Sequence, residues 1–290
     1  MISYANGKFL PTEKIAIPIA DDYLGFKCGY RIFTSSRTIN HKFFRIDDHI
    51  DRLISSAHDI NMNIEISKNE ISHLIKETIL KNKEINDEFI IFIFFSGGPP
   101  EPMTLKPSEA AHLYIIVNPL ILPPLEWYEN GITVATFPYQ RQFPTVKLLN
   151  YVGSINAHQT VIPKYKAQEG LFISPDDNDT LLEGTTFSFF AVNQNNTIIT
   201  RPEDEYILGS ITRRVIIEII KQNDLNFIEK KIKVSDLKSM KEAFLASSIR
   251  GIVPITKVND MKIGDGNPGE QTLSLMNYYK KNQENYEYCN

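Results

Sequence analysis

The sequence has few of the features that mark metal-binding, membrane or nucleic-acid-binding proteins. Only two cysteines, Cys28 and Cys289, occur among 290 residues, and their wide separation argues against a zinc site, a redox pair or a disulfide framework. No run approaches the roughly eighteen apolar residues that a membrane span requires. No long basic run occurs, and the formal net charge of −4 argues against a nucleic-acid partner. We therefore expect a cytoplasmic protein that holds no metal and binds neither membrane nor nucleic acid.

The N-terminal part shows apolar patterns of both helical and strand type. The first residues, MISYANGKFLPTEK, predict a hairpin that turns at Asn6-Gly7 rather than a signal peptide with an apolar centre. Apolar spacing predicts a helix over 46–60, and Ser67 with Glu70 predicts a capping box at the start of a second helix. Two apolar runs then predict strands, at 88–95 and 111–117.

A proline-rich segment divides the chain. Residues 118–129, NPLILPPLEWYE, contain three prolines and predict irregular structure. A chain of 290 residues, 42% of them hydrophobic, suggests two domains or one large one with a sizeable core. We expect an α+β fold with a small N-terminal α/β domain at 1–118, a linker at 119–130 and a larger C-terminal domain at 131–290.

The C-terminal part mixes predicted strands and helices. Apolar runs and turn residues predict these elements: a strand at 131–138, a helix at 152–168 kinked by Pro163, a strand at 170–174, strands within 181–200 that turn at Asn195-Asn196, a helix from Ser210, and a tail of strands and short helices. The glycine spacing of GDGNPG at 264–269 matches a dinucleotide-binding loop. We interpret it as a surface turn, because no βαβ unit is predicted around it.

One lysine has apolar neighbours on both sides in the sequence. Lys147 is the only lysine between Lys106 and Lys164, and its neighbours are the apolar Val146, Leu148 and Leu149. A lysine that extends its charge to solvent from a strand end would also fit this pattern. A catalytic role depends on what other segments supply.

Several segments carry groups that suit a phosphorylated cofactor. Arg52 interrupts the helical pattern as a phosphate-binding fork would, although a solvated arginine also fits. Ser210, Ile211 and Thr212 open a helix whose free amides attract anions, although plain capping by Ser210 also fits. The remaining candidates, each of which also fits an ordinary turn, are Ser247, Ser248 and Glu183.

Five segments in order resemble one family of enzymes. They are HIDRL at 49–53, KLLN at 147–150, LLEGTTFSFF at 181–190, LGSITR at 208–213 and VPITKVNDMKIGDGNPG at 253–269. Through them the chain resembles the class IV (fold type IV) pyridoxal-phosphate enzymes, which include branched-chain aminotransferases, D-amino-acid aminotransferases and aminodeoxychorismate lyase. The resemblance implies a small N-terminal α/β domain, a larger barrel-like C-terminal domain, and a site between them in a homodimer whose partner chain completes the substrate pocket.

The resemblance also implies roles for individual residues. Lys147 matches the lysine that forms the Schiff base with pyridoxal 5'-phosphate, and Glu183 matches the acid that faces the pyridine nitrogen. Tyr151 resembles a tyrosine that approaches the phenolic oxygen, although it comes one residue earlier than in the branched-chain enzymes. The phosphate-holding positions are Arg52, Ile211, Thr212 and Ser248, with Ser247 beside them.

The chemistry explains why such groups are needed. Removing a proton beside an amine leaves a carbanion, whose charge a protonated pyridine ring can take up. A carboxylate against the ring nitrogen keeps that nitrogen protonated. A lysine can first hold the cofactor and then transfer the proton as base and acid. The apolar neighbours of Lys147 would favour the neutral amine that both tasks require.

The sequence departs from the family at the substrate positions. Thr34 follows Phe33 where many aminotransferases have glutamate, and FTSSR at 33–37 resembles the lyase. The run 96–101 lacks the arginine and histidine with which D-amino-acid enzymes hold the substrate carboxylate, which argues against that group. Substrate contacts are therefore expected from Phe33, and a replacement for the missing carboxylate ligand from Arg31, Arg37 or Arg141, unless these are surface charges.

Three functions remain open. The first is an aminotransferase that moves an amino group between a branched-chain-like amino acid and a 2-keto acid, which Asn150-Tyr151 and the 264–269 turn favour. The second is an aminodeoxychorismate lyase that releases pyruvate and 4-aminobenzoate, which the FTSSR run favours. The third is a cofactor-binding protein without turnover.

Overall fold

The computed structural model describes residues 1–85 and 87–288, which group into two compact units. The first unit contains Met1–Ile121, Val146–Asn150 and the described residues from Glu284 onward, and the second contains Leu122–Thr145 and Tyr151–Gln283. This grouping differs from the predicted domains because Val146–Asn150, with Lys147, joins the first unit. Cys289 lies outside the described residues, and Cys28 is an exposed free thiol.

The first unit is built on an antiparallel sheet of six strands, in the order β2-β1-β6-β5-β3-β4. Its elements are β1 (Ile2–Ala5), β2 (Lys8–Pro11), a 3-10 turn (Thr12–Lys14), α1 (Tyr23–Cys28), β3 (Arg31–Ile39), β4 (Lys42–Phe43), α2 (Ile46–Asp59), α3 (Lys68–Leu80), β5 (Phe89–Ser96) and β6 (His112–Pro119).

Local sequence explains these elements. Asn6 and Gly7 both have positive φ, at 38° and 94°, and such a two-residue turn matches the twist of the hairpin β1–β2. Ser67 accepts a hydrogen bond from Glu70 N, and the Glu70 side chain accepts one from Ser67 N, which confirms the predicted capping box. The apolar stripes of α2 and α3 pack with β5 in one core. Its members include Ile50, Leu53, Ile71, Ile75, Ile91 and Ile93.

Two tyrosines near the end of the described chain belong to the first unit. Phe43 N donates to Tyr288 Oη at 2.7 Å, and Ile46 N donates to Tyr286 Oη at 3.3 Å. The ring of Tyr286 also packs edge-on against Phe44, with centroids 5.1 Å apart. Both tyrosines thus hold backbone groups of β4 and of the start of α2.

The second unit is built on a mixed sheet of nine strands, in the order β12-β11-β10-β13-β14-β7-β8-β9, with β15 on β14. Its elements are α4 (Glu126–Glu129), β7 (Ile132–Pro138), α5 (Val152–Gln159), α6 (Val161–Tyr165), β8 (Glu169–Ile173), β9 (Leu181–Gly184), β10 (Ser188–Asn193), β11 (Ile198–Thr200), α7 (Ile211–Gln222), β12 (Phe227–Glu229), a 3-10 helix (Val234–Ser239), β13 (Met240–Ser247), β14 (Gly251–Val258), β15 (Met261–Lys262) and α8 (Glu270–Glu284).

Three local predictions need correction. The segment 118–129 is not wholly irregular, because β6 continues to Pro119 and α4 occupies Glu126–Glu129. The helix predicted at 152–168 is two helices that break at Thr160. Pro163 has no N–H for a bond to Gln159, and the restart places it in the first turn of α6, where that donor is not needed.

The C-terminal tail, predicted to contain only strands and short helices, includes a long helix. The 264–269 run is a turn, as predicted, but the 15-residue helix α8 follows it directly. Glu242 is 3% exposed and caps this helix. It accepts hydrogen bonds from Thr272 N at 2.8 Å and from Thr272 Oγ1 at 2.7 Å. No local pattern indicated this distant cap. Among the described residues, no helix combines the length and apolar character needed to cross a membrane.

Candidate active site

Lys147 lies on a short segment that pairs with β3 in the first unit. Phe33 N donates to Lys147 O at 2.9 Å, and Leu149 N donates to Arg31 O at 3.0 Å. Lys147 N also donates to Ser56 Oγ on α2 at 3.2 Å. The backbone on both sides of the lysine is therefore fixed. Its Nζ lies 4.6 Å from the centroid of the Phe33 ring, within the range of a cation–π contact.

Phe33 belongs to an aromatic row that crosses the sheet. In the strand register Phe33 stands opposite Phe94, and Phe94 stands opposite Tyr114. The rings of Phe94 and Tyr114 stack at 4.7 Å, and Phe33 contacts Phe92 at 5.0 Å. Because side chains alternate along a strand, Arg31 and Arg37 share the Phe33 face of β3. Three of the predicted substrate residues therefore lie on one face.

Arg31 already holds a carboxylate of its own unit. Its Nη2 forms an ion pair with Asp22, whose side chain is fully buried, and its Nε donates to Ser96 Oγ at 2.7 Å. Gly98 N donates to the same carboxylate at 3.1 Å. The network fixes the loop after β5, and a substrate carboxylate at Arg31 would compete with Asp22.

Arg52 lies on α2 beside the opposite face of β3. Its Nη2 donates to Thr34 Oγ1 at 3.0 Å, and Thr34 Oγ1 is hydrogen-bonded to His49 Nδ1 at 2.7 Å. Thr34 is fully buried. The threonine that resembled the lyase thus orients Arg52 and lies on the face of β3 away from Phe33.

Glu183 lies on β9 in the second unit and is held from two sides. Arg141 Nε donates to Glu183 Oε1 at 2.7 Å, and Leu208 N donates to Oε2 at 3.4 Å. The side chains of Arg141 and Glu183 are 17% and 12% exposed. Arg141, predicted as a substrate ligand, therefore holds the carboxylate that was predicted to face the cofactor ring.

The start of α7 brings other predicted residues together. Ser210 caps the helix by accepting from Arg213 N at 3.2 Å, so Ile211 and Thr212 form its first turn. Thr212 Oγ1 lies 3.0 Å from Ser248 Oγ. Ser247 ends β13 next to Ser248. Two hydroxyls and two helix amides from the predicted phosphate set are thus neighbours.

Tyr151 lies at the start of α5, and Arg250 and Glu169 form a pair that was not predicted. Tyr151 is the N-terminal flanking residue of α5, and its role at the cofactor stays a prediction. Arg250 and Glu169 form an ion pair beside Ser247. Nothing in the sequence marked this pair, because Glu169 opens an ordinary strand and Arg250 follows a serine turn.

A comparison with protein families decides the class of enzyme. The family model for amino-transferase class IV matches residues 31–258, a range that contains every predicted site residue. The chain is a class IV aminotransferase. The family and the enzyme class predicted from the sequence are therefore confirmed.

Two curated relatives of this aminotransferase have different activities in their names. The D-alanine aminotransferase of Staphylococcus haemolyticus is 27% identical over 279 residues, with 96% of each chain covered. A Methanocaldococcus jannaschii protein, named provisionally as a branched-chain-amino-acid aminotransferase, is 28% identical over 282 residues, with 96% of this chain and 94% of the relative covered. Such similar identities do not separate the two substrates.

A solved structure confirms the predicted fold class. The branched-chain aminotransferase of the archaeon Thermoproteus uzoniensis, solved with norvaline, superposes with a TM-score of 0.86 at 20% identity. The match covers 98% of this chain and 95% of that one. The aminotransferase therefore has the α+β fold of type IV expected from its sequence.

Proposed function

We propose that the aminotransferase holds pyridoxal 5'-phosphate on Lys147 and transfers amino groups between apolar, branched-chain-like amino acids and a 2-keto acid. The substrate class rests on one observation: Lys147 Nζ lies against Phe33, which is 3% exposed and belongs to the aromatic row. A side chain placed there would meet the aromatic carbon of Phe33, which favours apolar substrates.

The second unit has donors that suit a phosphate group. The first-turn amides of α7, including those of Ile211 and Thr212, have no acceptor within their helix, and a helix N-terminus favours negative charge. The hydroxyls of Thr212 and Ser248 are close enough to reach one anion together. These amides and hydroxyls are all hydrogen-bond donors, and a phosphate group offers several oxygen acceptors to such donors. In the proposal, Arg52 adds a positive charge.

Glu183 would act at the ring nitrogen. When bound, the cofactor supplies a conjugated ring that takes up the electrons left by removal of the substrate α-proton. Glu183 would hold a proton at the ring nitrogen. The two donors from Arg141 and Leu208 fix the direction of its carboxylate, so little reorientation is needed during the reaction.

Lys147 would both hold the cofactor and transfer the proton. Its Nζ would hold the cofactor, and as a neutral amine the same nitrogen would accept the proton from the substrate α-carbon. The Phe33 ring excludes water from one side of Nζ, and the paired backbone of Val146–Asn150 fixes its starting point.

Two other activities, those of the lyase and of a D-alanine aminotransferase, have less support. The lyase interpretation relied partly on Thr34, and the side chain of Thr34 lies on the face of β3 away from Phe33. The D-alanine activity is favoured by the names of several relatives, whereas the Arg31–Asp22 network occupies the loop where D-amino-acid enzymes have their carboxylate ligands.

The decisive experiment is a donor panel. The purified enzyme is assayed with L-leucine, L-valine and D-alanine, each with and without 2-oxoglutarate, and with aminodeoxychorismate alone. We expect transfer from the L-amino acids only when the keto acid is present. Lys147→Ala should abolish transfer and the borohydride-reducible visible absorbance while circular dichroism stays unchanged.

Each other outcome contradicts part of the proposal. Faster transfer from D-alanine than from both L-amino acids would overturn the substrate class. Pyruvate release from aminodeoxychorismate without an acceptor would establish the lyase. Binding of the cofactor without any product would indicate a protein without turnover, and normal rates in Lys147→Ala would remove that lysine from the mechanism.

A further inference from the structure

The turn after β13 is held by an arginine that has no assigned role. Arg250 Nε donates to Ser247 Oγ at 3.2 Å, and Arg250 N donates to the same oxygen at 3.3 Å. Its Nη2 donates to Thr186 Oγ1 at 2.6 Å, and its Nη1 forms an ion pair with Glu169. One guanidinium thus joins the Ser247 turn to β8 and to the segment after Glu183.

The partners of Arg250 are themselves fixed. The second oxygen of Glu169 accepts from Thr185 Oγ1 at 2.6 Å, and Tyr128 Oη donates to Arg250 O at 3.0 Å. The side chains of Arg250 and Glu169 are 12% and 9% exposed. Because both oxygens of Glu169 are used and its charge is matched, the guanidinium is directed by several bonds at once.

This arrangement sets the direction of one hydroxyl. Ser247 Oγ accepts two hydrogen bonds from Arg250, and a serine oxygen has two acceptor positions and one hydrogen. With both acceptor positions filled, Ser247 can only donate, and donation is the role that a phosphate oxygen requires. Polarisation by the charged donor strengthens that bond.

We propose that Arg250 is a positioning residue for the phosphate of the cofactor, acting through Ser247 and through the turn that carries Ser248. Glu169 neutralises Arg250, so the arginine orients the hydroxyl donors and does not contact the phosphate itself. This inference rests on the proposed function, since it assumes that the Ser247–Ser248 turn binds the cofactor phosphate.

A comparison of two aldehydes tests the proposal. Apo-protein is titrated with pyridoxal 5'-phosphate and with pyridoxal, which lacks the phosphate, and the dissociation constants are read from the visible absorbance. Arg250→Met should raise the constant for pyridoxal 5'-phosphate about tenfold, the loss expected for a charge-assisted hydrogen bond. The constant for pyridoxal should change less than about twofold, within ordinary mutational scatter.

A double-mutant cycle identifies the route of the effect. If Arg250 acts through Ser247, Ser247→Ala should weaken binding of pyridoxal 5'-phosphate similarly. The dissociation constant of the double variant should then lie within about twofold of that of the weaker-binding single variant. Additive losses would instead mean that Arg250 does not act through the Ser247 hydroxyl, and they would overturn the proposal. Equal weakening of both aldehydes, or no weakening, would also overturn it.

Two further variants keep the test sound. Arg201→Met is the matched control, because Arg201 is 4% exposed and pairs with Asp204; its two dissociation constants should stay unchanged. If Arg250→Met fails to fold, Arg250→Lys takes its place in the test. This variant keeps the positive charge, but the single lysine nitrogen cannot make the bonds of the three guanidinium nitrogens. It should lose part of the phosphate-dependent affinity and none of the pyridoxal affinity.

A third arm separates this inference from the proposed function. Inorganic phosphate should raise the melting temperature of the apo wild type and not that of Arg250→Met. If the wild type forms no covalent link with either aldehyde, the proposed function fails, and the phosphate arm still tests Arg250. If phosphate stabilises both proteins equally, the role of Arg250 fails on its own.

Discussion

The carboxylate of Glu183 receives both of its described hydrogen bonds from its own unit, from Arg141 Nε and Leu208 N. From the sequence, Arg141 was one of three arginines expected to replace the missing ligand of the substrate carboxylate. The contact at 2.7 Å gives the guanidinium a different partner. Its contribution to the reaction should therefore pass through Glu183.

This contact predicts a particular kinetic change. Arg141→Met should lower kcat about tenfold or more, because Glu183 loses the charge-assisted bond that fixes it. The KM for the amino acid should change less than about threefold, since no substrate contact is removed. Steady-state kinetics with L-leucine measure both constants.

Two further variants test whether the kinetic change comes from the contact between Arg141 and Glu183. Gln142→Ala removes an exposed side chain beside Arg141 and should leave kcat and KM unchanged. Glu183→Ala should lose at least as much kcat as Arg141→Met. A KM raised more than about tenfold with kcat unchanged, the sign of lost uniform binding, would instead establish Arg141 as the ligand of the substrate carboxylate.

The start of helix α8 depends on a carboxylate from a distant strand. Glu242 on β13 accepts from Thr272 and from Gln271 N at 3.2 Å. Orphan amides at a helix start need an acceptor, and a negative charge there also opposes the helix dipole. The buried site makes both contributions larger than at a surface.

We expect Glu242→Gln to lower the free energy of unfolding by about 1–3 kcal/mol, the range for a hydrogen bond to a buried charged group. Urea denaturation followed by circular dichroism measures it. Glu270→Gln is the matched control, because Glu270 is an exposed carboxylate in the first turn of α8 itself, and its loss should be smaller. Equal losses would show that Glu242 acts only through helix charge.

Elements with local signals were predictable, and elements with distant partners were not. The stripes of α2 and α3 and the capping box at Ser67 arise from residues a few positions apart, so the sequence alone identified them. The break at Thr160 required the choice between one long helix and two short ones, and the tail pattern did not reveal α8. Its cap, Glu242, comes 28 residues before the helix begins at Glu270.

The same distinction holds for the candidate site. Thr212 and Ser248 were expected to act together because the resemblance to the family joined them, and they are in contact. The pair of Arg250 and Glu169 spans 81 residues, and neither residue has a distinctive local context. The pairing of Val146–Asn150 with β3 likewise depends on a fold that no local pattern encodes.

The first unit is assembled from three stretches of the chain. The last of them carries Tyr288, whose burial raises its pKa to about 12, above the ordinary value of about 10. Because the pKa is higher in the folded protein, the neutral hydroxyl adds stability that is complete below about pH 10 and is lost as the pH rises toward 12.

Tyr288→Phe tests this consequence. The variant should be less stable than the wild type at about pH 8, because Phe43 N loses its acceptor, and the difference should narrow between about pH 10 and 11.5 as the wild type loses the contribution. Urea denaturation at several pH values measures it. Tyr278→Phe, which changes a tyrosine that is 37% exposed, should follow the wild type throughout. A difference independent of pH would contradict the assignment.

The division of the first unit into three stretches also bears on how the protein is made. Translation produces Met1–Ile121 first, Val146–Asn150 later, and residues 284–288 only after all of the second unit. On the ribosome, the unit that is begun first is therefore the one completed last. The lysine at position 147 is synthesised before most of the other unit, and Tyr286 and Tyr288 are synthesised only after all of the second unit.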